Sequence, residues 1–328
     1  MLDLHLFQDL VAEARLAPSV HNIQPTRWRR EGDAIFVLAD ETRSLPVADP
    51  SGHDVRLSHG AAIEGLSLAL GLRGLRIGGI ETAVDGMPGQ GVVARITLAP
   101  GGEADPLAGA VASRASWRGA FRQRDPDLPS RLAHLDDVTD DLVIIGETDA
   151  VSEVADLADR AAFHFLCDDA HRRELLHWMR LSRADPRYGL DGLDAQALAL
   201  GRIEAIAASL VLGPLFPALR RVGLAAPLTS ERGKTASGAI ALFHRPIGED
   251  VLQTGRAFYR AWLAMERAGL AACPISVLAD WPLSNAALVE RFAVPSDRRL
   301  VNVFRMGSPP QQGPARHARL ALHDLIVR

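Results

Sequence analysis

Between Ala17 and Pro25 the chain reads A-P-S-V-H-N-I-Q-P, which sets Ser19, His21, Asn22 and Gln24 between two prolines. Proline cannot continue a helix, and it pushes the residue before it toward extended geometry. The backbone is therefore expected to leave the preceding helical stretch at Pro18 and to be held stiff again at Pro25. Small polar side chains and free N–H groups held between such brakes can be aimed at a ligand, although an ordinary polar loop has the same composition. A second group, Arg114-Ala115-Ser116-Trp117-Arg118 followed by Phe121, sets two guanidiniums and a hydroxyl at a spacing of two. Arginine offers planar, multi-donor recognition. Read alone, such a cluster most often belongs to a solvated surface.

Other patterns carry less. His164, Cys167 and His171 could share a helix face, but zinc wants a fourth ligand and shorter paired spacings, so a half-buried helix is the better reading. Gly233-Lys234-Thr235 lacks the first glycine of a P-loop, with Leu228 at that position, and precedes a strand. Gly86, Gly89 and Gly91 lead into a strand, not a helix, so they are no dinucleotide fingerprint. Ser19 with His21 has no acidic orienter, and His53 and His59 read as capping or surface residues. No metal and no hydrolase is expected.

The elements that must position these groups form a diverged repeat. Gly60-Ala61-Ala62-Ile63 through Gly74-Leu75 and Gly255-Arg256-Ala257-Phe258 through Gly269-Leu270 match at one offset of 195 residues. Each reads as an amphipathic helix stopped by glycine. Each follows an apolar strand, Ala34 to Leu38 or Ala239 to Phe243. Each precedes another, Val92 to Leu98 or Arg299 to Arg305. The turn-rich stretch Ala99 to Pro106 suggests a boundary, giving halves of 1–105 and 106–328. An excess at about 161–237 in the second half carries Trp178-Met179-Arg180, Asp191-Gly192-Leu193 and a proline-broken apolar run. Such a segment folds over a site as a lid or serves as a packing or dimerisation element.

The chain has 328 residues, 48% of them hydrophobic and 23% charged, with a net charge of −4. This suits a soluble globular protein with a full core and gives no electrostatic case for a nucleic acid. The longest uncharged run, Ala205 to Leu219, is short of the roughly 20 residues that span a bilayer, so no membrane partner is expected. No secretory signal is read at the start. Two cysteines make no disulfide framework, and a reducing cytoplasm is the default location.

The A-P-S-x-x-N-x-Q-P loop, with Trp28 displaced from its usual place after the proline, resembles the flavin-contacting loop of the nitroreductase superfamily. Arg114-x-Ser116-x-Arg118 resembles the R-x-S-x-R/K signature that opens subunits of that family. Cys273-Pro274-Ile275-Ser276 resembles its P-I-E-G segment, with Ser276 in place of the glutamate and Val277 in place of the glycine. Arg316 and Arg319 resemble its C-terminal basic pair. The duplicated single chain with its insert most resembles the Acg-type subfamily.

The resemblance implies an α+β fold of two fused nitroreductase-like halves, each a mostly antiparallel sheet packed with helices. In the dimeric family, the loop of one subunit and the Arg-Ser-Arg element of the other meet on one FMN. Here each half keeps one of the two, which implies a pseudo-dimer with a single composite site. A monomer is expected, and a homodimer is compatible. Pro18, Ser19, Val20, Asn22 and Gln24 would contact FMN from the first half. Arg114, Ser116, Arg118, Pro274, Ile275, Ser276, Arg316 and Arg319 would do so from the second, with Thr229 and Arg232 nearby by analogy. The implied activity is hydride transfer from NAD(P)H through FMN to a nitroaromatic, quinone or similar small-molecule acceptor, with no protein acid or base. The alternative is a flavin-binding or flavin-sequestering protein with a lid that blocks NAD(P)H.

Overall fold

The computed structural model describes residues 2–82, 91–123, 125–310 and 318–327. Helix α1 (Leu4–Ala14) starts at Asp3, whose carboxylate accepts the Leu6 N–H and so supplies an N-terminal cap. Strands β1 (Thr26–Glu31) and β2 (Ala34–Ala39) form a hairpin whose turn needs the positive φ of Gly32, 58°. Helix α2 (His53–Gly71), β3 (Leu75–Glu81) and β4 (Val92–Pro100) complete an antiparallel sheet in the order β1-β2-β4-β3.

The second half begins with α3 (Leu128–Val138) and β5 (Leu142–Ile145). A long excursion follows: α4 (Thr148–Leu166), α5 (Asp169–Trp178), β6 (Met179–Arg180), β7 (Leu193–Asp194), α6 (Arg202–Leu212), α7 (Phe216–Arg221), α8 (Ala225–Thr229) and α9 (Arg232–Thr235). The sheet resumes with β8 (Ala239–Pro246), then α10 (Val251–Arg267), β9 (Ala271–Pro274), α11 (Val277–Asp280), α12 (Pro282–Arg291), β10 (Arg298–Gly307) and α13 (Leu322–Leu325). Its antiparallel order is β5-β8-β10-β9. Both sheets thus share one topology: two strands, a long helix, and two strands that return in the order first, second, fourth, third. The fold is α+β, as expected.

The halves meet along α2 and α10, and the contact is reciprocal. A Cβ on Gly60 would fall 2.2 Å from the Leu252 carbonyl, and one on Gly255 would fall 2.1 Å from the Leu57 carbonyl. These are two pairs of positions at the same offset, as a two-fold related interface requires. Leu252 is buried in the first core and Leu57 in the second, so each half receives the equivalent leucine of the other. Beside the crossing, the buried Glu64 carboxylate accepts from Arg256 Nε at 2.8 Å and Arg260 Nη1 at 2.7 Å. Arg260 also reaches Asp105, in the connection between the halves, at 2.8 Å.

The insert differs from expectation in extent. Strands β5 and β8 are direct neighbours, like β1 and β2, so the chain between them runs over residues 146–238, not 161–237. The earlier start arises because α4 is a core helix. Its Val151, Val154, Ala158 and Ala161 pack with Ile240 and Leu242 on the sheet face opposite α10. Among the described residues no helix is long and apolar enough to cross a membrane.

Candidate ligand site at the junction of the halves

Helix α1 ends before the proline expected to stop it, with Arg15 as its C-terminal cap, and the chain enters a single 3-10 turn over Val20–Asn22. His21, Asn22 and Gln24 take φ values of 43°, 54° and 52°. Such left-handed geometry costs of order 1–3 kcal/mol for residues other than glycine and persists only where the surroundings enforce it. Here hydrogen bonds do so. Ser19 Oγ accepts the Gln24 N–H at 3.0 Å, and Ser58 Oγ of α2 accepts the Val20 N–H at 3.0 Å.

Asn22 donates to Gly192 O and Ala318 O, each at 3.2 Å, while its Oδ1 accepts from Arg319 Nη1 at 3.0 Å. Gln24 donates to Leu190 O at 2.8 Å and accepts the Leu320 N–H at 2.8 Å. Both amides are thus engaged by protein partners. They lock the loop to the insert and to the C-terminal segment.

The insert's Trp178-Met179-Arg180 and Asp191-Gly192-Leu193 motifs now have a physical role. Asp191 is wholly buried and takes Arg43 Nη1 at 3.0 Å, Arg180 Nε at 3.1 Å and Arg187 Nε at 3.0 Å. Burial raises its pKa, but hydrogen bonds from Arg187 and Arg43 and the Arg180 charge outweigh that and hold it below the usual carboxylate range. Arg43 also donates to Ile23 O at 2.7 Å, and Trp178 packs on Ile23 and Leu45. The insert is therefore pinned directly over the Ser19–Gln24 loop.

Opposite the loop, residues 114–118 run alongside β9: Ser116 bridges Ala272, and the Trp117 N–H donates to Ala272 O at 3.0 Å. This places Arg114, Ser116 and Arg118 on the edge that ends at Pro274 and Ile275, with Ser276 opening α11. Arg114 is 2% exposed, lies 4.6 Å over the Trp262 ring, and donates to Leu16 O at 2.8 Å. Arg319 donates to Leu16 O at 2.9 Å and to Arg15 O at 2.6 Å. Burial, then the charge of Arg114, pulls the Arg319 guanidinium down to about 9. Burial likewise lowers Arg114.

Neither arginine has a carboxylate within ion-pair distance among the described residues. Arg114 Nε and Arg15 Nε are buried without a hydrogen-bond partner. Two guanidiniums thus converge on the Leu16 carbonyl with no carboxylate in ion-pair range, and their like charges repel. A cavity of about 30 Å³, bordered by Arg15, Pro18, Ser19 and Ser58, adjoins this cluster. His21 also lies at the junction, with a buried, unpartnered Nδ1. Burial, then the charges of Arg118 and His171, depress it to about 4, so it is neutral near pH 7.

Some expected residues lie elsewhere. Arg232 pairs with Asp156 on the exposed side of α4, and Thr229 Oγ1 is bonded to Ala225 O. Helix α8 packs on α6 and α7, and α9 packs on α4. Arg316 lies outside the described residues. Arg15 and Arg43 carried no signal in the sequence, although Arg15 lies two residues before Ala17. Among the described residues, no group of three or more His, Cys, Asp or Glu is placed to hold a metal.

A carboxyl cluster flanks the same junction. Burial, then the charges of Asp280 and Asp49, pushes Asp54 up to about 7. Asp280, raised chiefly by burial and partly held back by a hydrogen bond from Ser276, stands at about 6. A carboxyl raised on folding holds its proton more tightly in the native chain. Its stabilising contribution is full below the ordinary value of 3.8 and is lost as pH rises through about 7. Asp54→Asn is therefore expected to raise Tm near about pH 8 and to leave it unchanged near about pH 4. Thermal melts across that range check this, and a destabilised variant at the higher pH would count against it.

No family model matches the chain. Over 74 residues it is 32% identical to a Mycobacterium tuberculosis protein (strain H37Rv) whose name provisionally assigns it as NAD(P)H nitroreductase acg. The match takes in 23% of this chain and 22% of that relative's length. Among solved structures, the FMN and NADPH-dependent nitroreductase NfnB from sphigopyxis sp. strain HMH aligns with 68% of this chain and 99% of its own. The identity is 18% and the TM-score 0.37. NfnB from Mycobacterium smegmatis, in complex with NADPH, aligns with 61% and 86%, at 15% identity and a TM-score of 0.34. The nitroreductase resemblance read from the loop and the Arg-Ser-Arg element thus recurs in the name of a curated relative.

Proposed function

We propose that the chain is an FMN-binding oxidoreductase of nitroreductase type, built by internal duplication, with one FMN between its halves. The observation that carries this reading is the pair of buried guanidiniums, Arg114 and Arg319, with no carboxylate beside them. A phosphate monoester suits this site: Arg114 Nε is buried without a partner and would donate to it, and Arg319, held by backbone carbonyls and Asn22 Oδ1, adds its charge. Arg118 and Ser116 would hold the adjoining chain and ring. Pro18, Ser19 and Val20 would face the flavin from the first half, and Pro274, Ile275 and Ser276 from the second. Asn22 and Gln24 act as positioning residues that hold the loop. FMN, when bound, supplies the redox chemistry, and the chain supplies binding, orientation and exclusion of water. The insert, pinned over the loop through Asp191, acts as a lid.

Stoichiometry and reduction test this. One FMN per chain is expected from flavin absorbance against amino-acid analysis, with light scattering giving the mass. Two FMN per chain, or binding that requires dimerisation, would sink the composite site. NADPH or NADH is expected to bleach the flavin within seconds in anaerobic stopped flow. A flavin reduced by dithionite but by neither nucleotide would replace the enzyme reading with the flavin-sequestering one.

A further inference from the structure

The insert ends in an element that the flavin reading does not use. Helices α6, α7 and α8 pack on one another and on α5, and within them only Ala205, Phe216 and Ala225 are buried. On α6, Ile203, Ile206 and Leu210 fall at i, i+3 and i+7, one helix face. They are 83%, 65% and 45% exposed. Val222, Leu224 and Leu228, around α8, are each more than half exposed. Apolar side chains gathered this way, and not scattered singly, mark an interaction surface.

Charge identifies its partner. Residues 201–229 contain Arg202, Arg220 and Arg221 against one carboxylate, Glu204, whose Oε2 accepts the Gly201 N–H at the start of α6. The three arginines are exposed, and none has an ion-pair partner among the described residues. The stretch is net basic, although the whole chain has a net charge of −4. A two-fold contact with a second copy would set this surface against itself, arginine side to arginine side, with no acidic counter-surface. An anionic lipid surface takes both features at once: apolar side chains enter the headgroup boundary while arginines meet lipid phosphates.

We propose that α6–α8 is a docking surface for an anionic membrane, on which the protein lies without crossing it. This revises the expectation of no membrane partner. That expectation rested on the length needed to span a bilayer, whereas a surface-bound helix needs only an apolar face with basic residues beside it.

The test uses the purified full chain with sedimenting vesicles of phosphatidylcholine, alone or with about 30% phosphatidylglycerol. Binding is expected to the mixed vesicles, weaker to neutral ones, and diminished by salt. Ile206→Glu and the pair Arg220→Ala, Arg221→Ala should each lower the partition coefficient roughly tenfold or more. Circular dichroism should be unchanged, since the altered side chains are exposed. Failure of the wild-type chain to bind mixed vesicles overturns the proposal, as does binding that neither variant weakens. A dimer seen by light scattering, dissolved by Ile206→Glu in a chain that ignores vesicles, would overturn it too and assign the face to a second copy.

Discussion

Replacing Arg114 by methionine is expected to weaken FMN binding by about 10- to 150-fold, as the loss of one charge-assisted contact worth about 1.5–3 kcal/mol implies. The variant separates two explanations for a buried arginine. If the guanidinium serves packing alone, its stack on Trp262 and its bond to Leu16 O are lost, the chain becomes less stable, and flavin affinity holds. If it awaits an anion, the variant relieves repulsion from Arg319, so the flavin-free chain keeps its stability while affinity falls. Inorganic phosphate should raise the Tm of the flavin-free wild type and raise that of the variant less, because a ligand stabilises only the state that binds it. Unchanged dissociation constants in a folded variant would falsify the phosphate assignment.

The second large effect is expected at the crossing of α2 and α10. Gly255→Ala places a methyl carbon 2.1 Å from the Leu57 carbonyl oxygen and 3.0 Å from Gly60 Cα. Both are backbone atoms, so no rotamer can relieve the overlap and the helices must separate. The cost should reach or exceed about 3 kcal/mol, the upper end of ordinary overpacking. Gly60→Ala meets the Leu252 carbonyl at 2.2 Å and should cost about the same as its mate. The reciprocal geometry adds a sharper expectation. Once one methyl has parted the helices, the second enters opened space, so the double variant should cost less than the sum of the singles. Urea denaturation of the three variants measures this, and strict additivity would refute a shared contact.

Parts of this architecture were legible and parts were not, for identifiable reasons. The central helices could be read because glycine and alanine recur at one offset, and close approach of two backbones demands small residues at those places. The strands β2, β4, β8 and β10 showed as apolar runs. Strand β1, Thr-Arg-Trp-Arg-Arg-Glu, was hidden by its charges, and β3 by the glycine pair at 78 and 79, where the pairing register shifts. The insert starts earlier than the sequence suggested because α4, with no counterpart in the first half, packs on the second sheet's face opposite α10. At the site, residue types pointed to the Ser19–Gln24 loop and to Arg114, both of which lie at the junction. The sequence could not say that Asn22 and Gln24 turn inward, since an amide that holds a loop and one that holds a ligand look alike. Nor could it foresee Asp191, whose three guanidinium partners come from positions 43, 180 and 187 and converge only in three dimensions.

The shared strand order and the reciprocal glycines have a consequence for behaviour on dilution. Two separate subunits with this interface would part at low concentration and release whatever they hold between them. Here the partner is tethered through residues 101–113, between β4 and the Arg114 segment, so its effective concentration is of about millimolar order however dilute the protein becomes. If the proposed composite site holds, such a chain keeps it assembled whatever its own abundance. Its halves are also released from the equality that a homodimer imposes, because a change in one is not copied into the other. Under the proposed duplication, this freedom accounts for one half carrying the insert without the polar loop, while the other carries the loop without the Arg114–Arg118 cluster.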